Sequence, residues 1–445
     1  MVVKLVVVGV LCALTSLASH FGRAVFHDGI RPIMPEYYQG RMKRSEMTAV
    51  AFGLSAGFVV SMGIAFTLSS KLLNPWLLFL PTDILGVLAP YSWLAAILGA
   101  GWGIGVTAFF DILVVLFKAM PVNILDPFSA LSSPVIAGFA LFPVLAIFLQ
   151  FGWRKGLITL VLELIARQLA ALKIITVGGT PIYAEALEMF IGVIMLVVFA
   201  ILKDIKANKD NTSNISGENI FAVNTKRIFD SLPLLMIIGG LVSLISNMKW
   251  FAGSEVDFQL LSQIYATGNN QQLISVAAAD FVRGLAFLPL IVTTSLASGV
   301  YGVVGLTFVY PVGYWLAPAL FGDGVFGHIM AFVLGALTIL VEVSALRLIG
   351  VGLEKFPSIR EASDNIRTAM NNVLEIALLI GSAMAVLNMN PAGVEGQNWL
   401  AFAIFVALYM INEALGRPII RLASPPLAAI ITGILVNIFY LLHLM

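Results

Sequence analysis

Charge is what this sequence has least of. Only 11% of its 445 residues are Asp, Glu, Lys or Arg, where a soluble domain carries roughly 25%. That scarcity excludes an ordinary water-soluble fold. Cysteine occurs once, as Cys12 inside an apolar run, so neither an intrachain disulfide nor a cysteine-built metal site can form. The histidines His20, His27, His328 and His443 stand apart, without the paired spacing of a metal motif. No metal and no cofactor is therefore expected. The net charge is +1, with no basic tail and no nucleic-acid motif, so no nucleic-acid partner is expected either.

In place of charge the chain has apolar length. It is 60% hydrophobic, with a mean hydropathy of +0.98. Runs of about 20 apolar residues recur, each long enough to cross ~30 Å of hydrocarbon. The expected fold is an all-α polytopic membrane protein with about 14 membrane segments, or 12 to 14, some of them broken or re-entrant. Leu72–Ala89 and Gly299–Leu320 are the candidates for re-entrant segments. The first run, Val2–Ser19, reads as an uncleaved helix, because equally hydrophobic chain follows it.

The polar linker 203–227 divides the segments into two sets of seven, 1–202 and 228–445. An odd number per half makes the halves insert in opposite directions. Their loop lengths also match in order, which is the pattern of an inverted-topology repeat. FLP occurs at Phe79–Pro81 and Phe287–Pro289, and E-x-x-x-R at Glu163/Arg167 and Glu413/Arg417. These short echoes are weak support. If every segment spans, the loops rich in Lys and Arg fall on one side with the linker, and that side is cytoplasmic.

The stretch Asp280–Gly305 draws attention as a hydroxyl- and glycine-rich hairpin. Asp280 and Arg283 lie one helical turn apart and are spaced to pair. Pro289 should break the helix before Thr293, Thr294 and Ser295, with Ser298 and Gly299 following. These oxygens could coordinate a cation or a polar solute, or simply bond back to the preceding turn. Pro81 should likewise break its helix, leaving Thr82 and Asp83 to cap a new half-helix. A carboxylate at membrane depth costs at least ~2.5 kcal/mol unless paired, protonated or wetted. Asp83 is therefore either a coupling or binding group or a cap satisfied by its own backbone. Glu163/Arg167 and Glu413/Arg417, with Asn412 beside the latter, are candidate relays or gates, or plain structural pairs. Glu342 reads as interfacial.

Several patterns mean less than they first suggest. Gly99, Gly101, Gly103 and Gly105 fit close helix packing better than a nucleotide loop. The G-x-S-x-G match at Gly53–Gly57 lacks the strand–turn–helix context of a hydrolase elbow. The polar loops at 24–44 and 354–372 read as topogenic charge anchors, or as an inner gate or a short surface helix.

Along its whole length the chain resembles the YhfT family of bacterial inner-membrane proteins. The resemblance rests on FHDGIRPIMP (Phe26–Pro35), AFGLSAGFV (Ala51–Val59), LLFLPTDILGVLA (Leu77–Ala89), LSSPV (Leu131–Val135), FAGSEV (Phe251–Val256), Asp280–Tyr314, ASDNIRTAMN (Ala362–Asn371) and NEALGRP (Asn412–Pro418). It implies a multi-pass protein of transporter type in the bacterial cytoplasmic membrane, and it carries over no catalytic residues.

The function expected is a secondary transporter of a small polar solute, by an elevator-like or other alternating-access movement, coupled to H⁺ or Na⁺. Its partners are then the solute, the ion and the lipid bilayer, and a homodimer is compatible with the sequence. One alternative is the membrane component of a phosphotransferase-type sugar uptake system. A second is an intramembrane enzyme on a lipid-linked substrate, although no nucleophile with a base, and no paired catalytic acids, stand at convincing spacing.

Overall fold

The computed structural model describes residues 1–210, 218–391 and 393–444, with the side chains of 208–210, 218–222, 347 and 351–355 outside the description. The protein is an all-α membrane protein. Among the described residues nine helices are long and apolar enough to cross a bilayer. A bent pair, Val223–Asp230 and Leu232–Asn247, makes a tenth candidate with a 58° break. Pro75–Leu88 and Trp399–Ala414 are shorter apolar helices. The linker 203–227 is entered by helix Ala184–Asp210 and left by helix Glu218–Asp230, and its middle lies outside the described residues.

Both expected proline breaks are absent. Helix Pro75–Leu88 runs through Pro81, and helix Leu273–Ser298 through Pro289. Proline withholds the N–H owed to the carbonyl four residues earlier. For Pro81 that carbonyl is Leu77, and the Trp102 indole N–H donates to it instead at 2.9 Å. A side chain from the next helix thus replaces the missing backbone bond, and Thr82 and Asp83 cap nothing of their own.

The interruptions lie beside these helices. Before Pro75 the chain is extended, and Asn74 caps the new helix by accepting from the Leu77 N–H at 3.0 Å. The same Asn74 amide donates to the carbonyls of Met62 (3.1 Å) and Gly63 (2.9 Å), inside the π-turn Val59–Ala65 of the previous helix. A helix of 14 residues rises ~21 Å, short of a full crossing. After Ser298, Gly299 takes a left-handed φ of 69°, which glycine adopts without steric cost. The chain then stays extended or turning to Phe308 and resumes as short helical pieces over 309–321.

These extended segments satisfy one another. Ala24–Val25 pairs in parallel with Tyr301–Gly302. Leu73 bridges Phe251 in parallel, donating to the Trp250 carbonyl at 3.0 Å and accepting from the Ala252 N–H at 2.9 Å. Val25, Leu73, Phe251 and Tyr301 are all buried. Non-helical backbone at membrane depth survives only under such protein cover.

Two glycines let the flanking helices close on these crossings. A Cβ on Gly86 would stand 2.3 Å from the Ser16 carbonyl oxygen and 2.8 Å from the Ser19 side chain. A Cβ on Gly313 would stand 2.3 Å from the Ser243 carbonyl oxygen and 2.8 Å from the Ser246 side chain. His20 Nδ1 is 3.1 Å from the Gly86 carbonyl, and the Asn247 amide donates to the Gly313 carbonyl at 3.0 Å. In the expected glycine series, Gly99 and Gly103 pack on Cys12 of the first helix, while Gly101 and Gly105 face no neighbour.

Candidate functional site

The polar residues of the two crossings converge on one cavity of about 280 Å³. Its charged walls are Asp28 and Arg31 from the segment after the first helix, Glu255 and Arg283, and Arg367 from helix Pro357–Leu387. His27, Thr307 and Asn371 add polar groups, and Phe58, Trp76, Phe287 and Leu374 supply apolar surface. The stretch 354–372, expected as a polar loop or a short surface helix, is from Pro357 onward the first part of the long helix Pro357–Leu387. The loop at 24–44 also differs from a surface anchor, because Arg31 is only 2% exposed.

Asp83 does not line this cavity. Its carboxylate accepts the backbone N–H of Phe26 (2.9 Å) and of His27 (3.0 Å) and holds the segment that does. Thr82 accepts a hydrogen bond from Thr15 at 2.9 Å, also away from the cavity. Burial without a counter-ion is costly, and the backbone N–H groups stabilise the carboxylate. From the other end of the same segment, Arg31 pairs with Asp28 and donates to Thr294 at 2.8 Å. Asp83 and the hydroxyl cluster thus meet only through residues 26–31 and do not form one pocket. Thr294 and Ser298 donate back to their own helix, to Leu290 (2.8 Å) and Thr294 (2.7 Å) carbonyls. Ser295 is buried, and its hydroxyl and that of Thr293 have no hydrogen-bond partner among the described residues.

Asp280 and Arg283 are buried, not interfacial, and each pairs with a residue other than its neighbour. Arg283 forms an ion pair with Glu255 at 2.7 Å, donates to Thr307 at 3.3 Å and stacks over the Phe287 ring at 4.6 Å. Asp280 accepts from Ser254 and, at 2.9 Å, from the Tyr314 hydroxyl. Ser254 also joins Asp280 to Asp257, a second buried acid, whose carboxylate accepts the Gly253 and Ser254 N–H groups at 2.9 and 3.0 Å.

Glu163 does not pair with Arg167. That arginine turns to Glu185 (3.1 Å) and Glu188 (3.3 Å), leaving both Glu163 oxygens buried against Gly192 and without a partner among the described residues. Glu413 does meet Arg417, at 2.8 Å, and Arg421 at 3.4 Å, in exposed surroundings. Asn412 clamps the following turn through the Ile419 backbone, 2.8 and 3.0 Å away. None of these four residues lines the cavity. Glu342, expected at an interface, is buried and accepts the Leu306 N–H at 2.8 Å.

His27 lies in the loop between helices. Its Nδ1 accepts the Gly29 N–H at 2.9 Å, so Nε2 carries the proton and donates to the Leu54 carbonyl at 3.1 Å. Burial pushes its pKa down to about 4, and the ring is neutral in the folded protein at pH 7.

Among the described residues no group of three or more His, Cys, Asp and Glu side chains is placed to hold a metal ion. Arg31, Glu255, Asp257, Arg367 and Asn371 were not singled out from the sequence. The available signal was charge in loops that also carry glycine or aromatic residues, FHDGIR and FAGSEV, which read equally well as topogenic.

A family model described as YhfT, a protein of unknown function, matches residues 4–445. The chain belongs to the YhfT family. It is 47% identical over 448 residues to the "Uncharacterized protein YhfT" of Escherichia coli (strain K12), covering 99% of this chain and 98% of that relative. No solved structure matches.

Proposed function

We propose that the chain is a secondary transporter of a small polar solute in the bacterial cytoplasmic membrane, working by alternating access between two inverted repeats. The observation that carries this reading is the cavity itself. Charged side chains meet there beside crossed, extended backbone, at the starts of two short helices, Pro75–Leu88 and 309–321. Interrupted helices that expose backbone at a central site are how transporter folds bind solutes.

The repeat is supported by contacts that recur at one constant offset along the chain. Ser16, Ser19, His20 and Gly86 make the contacts that Ser243, Ser246, Asn247 and Gly313 make. The bridge of Ala24–Val25 to Tyr301–Gly302 has its counterpart in Phe251 to Leu73. The FLP echo does not share this offset and adds nothing.

Coupling to protons is favoured over Asp83 as a coupling acid, because Asp83 is committed to the Phe26 and His27 backbone. Asp257 and Asp280 are two buried acids joined through Ser254, able between them to take up a proton, and Arg283, one turn from Asp280, reaches the cavity wall. A second depression, of about 710 Å³ and including Lys203 and Arg360, shares Arg367 with the cavity. Lys203 and Arg360 belong to the loops rich in Lys and Arg, and the positive-inside rule supports a cytoplasmic position for this depression.

The test needs no knowledge of the solute. A single cysteine is placed at Met370, which lines the cavity, in a Cys12→Ala background. Oriented vesicles are then treated with a membrane-impermeant thiol reagent from either face. Alternating access gives labelling from both faces. Labelling from one face alone, under every gradient applied, removes the transport reading and leaves a one-sided receptor or enzyme.

A further inference from the structure

The charged groups around the cavity do not balance evenly. Arg31 is matched by Asp28, and Arg283 by Glu255. Arg367 is matched only by Asp364, at 3.2 Å through Nη1, and Asp364 is 85% exposed. An ion pair with so solvated a partner is worth little. The other edge of the guanidinium, Nε and Nη2, is enclosed by protein and has no hydrogen-bond partner among the described residues. One helical turn further on, the Asn371 side-chain oxygen is also enclosed and without a partner. A buried charged donor without an acceptor is costly, and this edge lacks the acceptor that its burial calls for.

We propose that Arg367 is the anion-binding group of this cavity, and that the solute is a small carboxylate bearing a hydroxyl donor and an apolar body. This rests on the transport reading for its purpose, though not for its chemistry. The Nε–Nη2 edge presents two parallel N–H groups, the geometry that a carboxylate meets with both oxygens. The enclosed guanidinium turns about its outer torsions to engage the ligand. Asn371, at i+4 on the same face, accepts the ligand hydroxyl. The rest of the solute lies against Trp76, Phe287 and Leu374, which line the same cavity. The volume of about 280 Å³ is at or below the ~300–1,000 Å³ of drug-sized pockets, so the body is no larger than a single ring. Arg31 and Arg283 keep their own carboxylates, so a single negative charge on the solute is the one the site can match.

Calorimetric titration of the purified full chain tests this with mandelate, its uncharged isostere mandelamide, and inorganic phosphate. Mandelate binds, mandelamide binds at least about tenfold more weakly, and phosphate does not compete. Arg367→Gln weakens mandelate by about tenfold or more, as expected for a lost charge-assisted pair. Arg367→Lys, a point charge without the fork, recovers only part of it. Asn371→Ala reduces mandelate affinity and leaves that of benzoate, which has no hydroxyl, unchanged. Equal binding of mandelate and mandelamide overturns the proposal, as does mandelate binding unaffected by a monodisperse Arg367→Gln protein. Failure of all these probes to bind overturns it too, and phosphate alone binding through Arg367 replaces the carboxylate by an inorganic oxyanion. Arg367-dependent binding with Met370→Cys labelled from one face would keep the anion site and remove transport. Labelling from both faces with no preference for mandelate does the reverse.

Discussion

Asp83 holds the backbone of His27: its carboxylate accepts that N–H at 3.0 Å and the adjoining Phe26 N–H at 2.9 Å. The acid stands on one helix and the segment it fixes carries His27, Asp28 and Arg31 into the cavity. Asp83 therefore positions this segment of the cavity wall without lining the cavity itself.

Asp83→Asn should lower stability by roughly 1–3 kcal/mol, since an amide, with one acceptor oxygen, cannot take all the N–H contacts that the two carboxyl oxygens take. Thermal unfolding and hydrogen exchange read this, with faster exchange concentrated at residues 24–31. A variant of unchanged stability whose ion dependence is altered would return Asp83 to the role of coupling acid.

The buried Glu255–Arg283 pair should behave asymmetrically. Removing one partner, as in Arg283→Met, leaves a buried uncompensated charge and costs about 3–5 kcal/mol. Removing both, Glu255→Gln with Arg283→Met, should cost less than either single change. Melting temperatures of the three variants decide it, and strictly additive losses would show that the two groups do not depend on one another.

His27 gives the fold a defined acid limit. Its folded pKa is pushed down to about 4, against 6.5 when unfolded. A group depressed in the folded state makes its neutral form the folded one. Its contribution is full above pH 6.5 and is lost as pH falls from there towards 4, by up to a few kcal/mol. Protonation also costs the Gly29 N–H its acceptor. His27→Gln should flatten stability over that pH interval, measured by unfolding at a series of pH values. An unaltered pH profile would show that another group sets the limit.

Gly86→Ala and Gly313→Ala should each destabilise by about 1–3 kcal/mol or more, because the added methyl falls 2.3 Å from a backbone oxygen in both cases. Gly101→Ala, with nothing within 4 Å, should be neutral or slightly stabilising on helix propensity. Similar losses at Gly86 and Gly313 support the repeat, whereas a large loss at only one of them argues that the two crossings are not equivalent.

Asp280→Asn should abolish the pH dependence of labelling at Met370→Cys from the two faces, while the protein still inserts and folds. Retained pH dependence would mean that Asp280 takes no part in coupling the movement to protons.

Composition alone made this a multi-pass helical membrane protein, because about a tenth of its residues being charged leaves no other place for so much apolar length. The sequence also pointed to the right neighbourhoods: the segments around Asp83 and Asp280–Gly305 do carry the interrupted backbone. It misplaced the interruptions, because a proline cannot reveal that Trp102 waits to bond the carbonyl it abandons. Nor could it choose partners. Spacing of three or four residues matched Asp280 with Arg283 and Glu163 with Arg167, yet in each pair the burial of at least one member is met, or left unmet, by groups on other segments. Local spacing fixes only what one helix face can offer. Which charges lie at depth, which of them are answered, and that Arg367 keeps an unanswered edge, were decided by the packing of distant segments, since desolvation and pairing belong to the assembled protein.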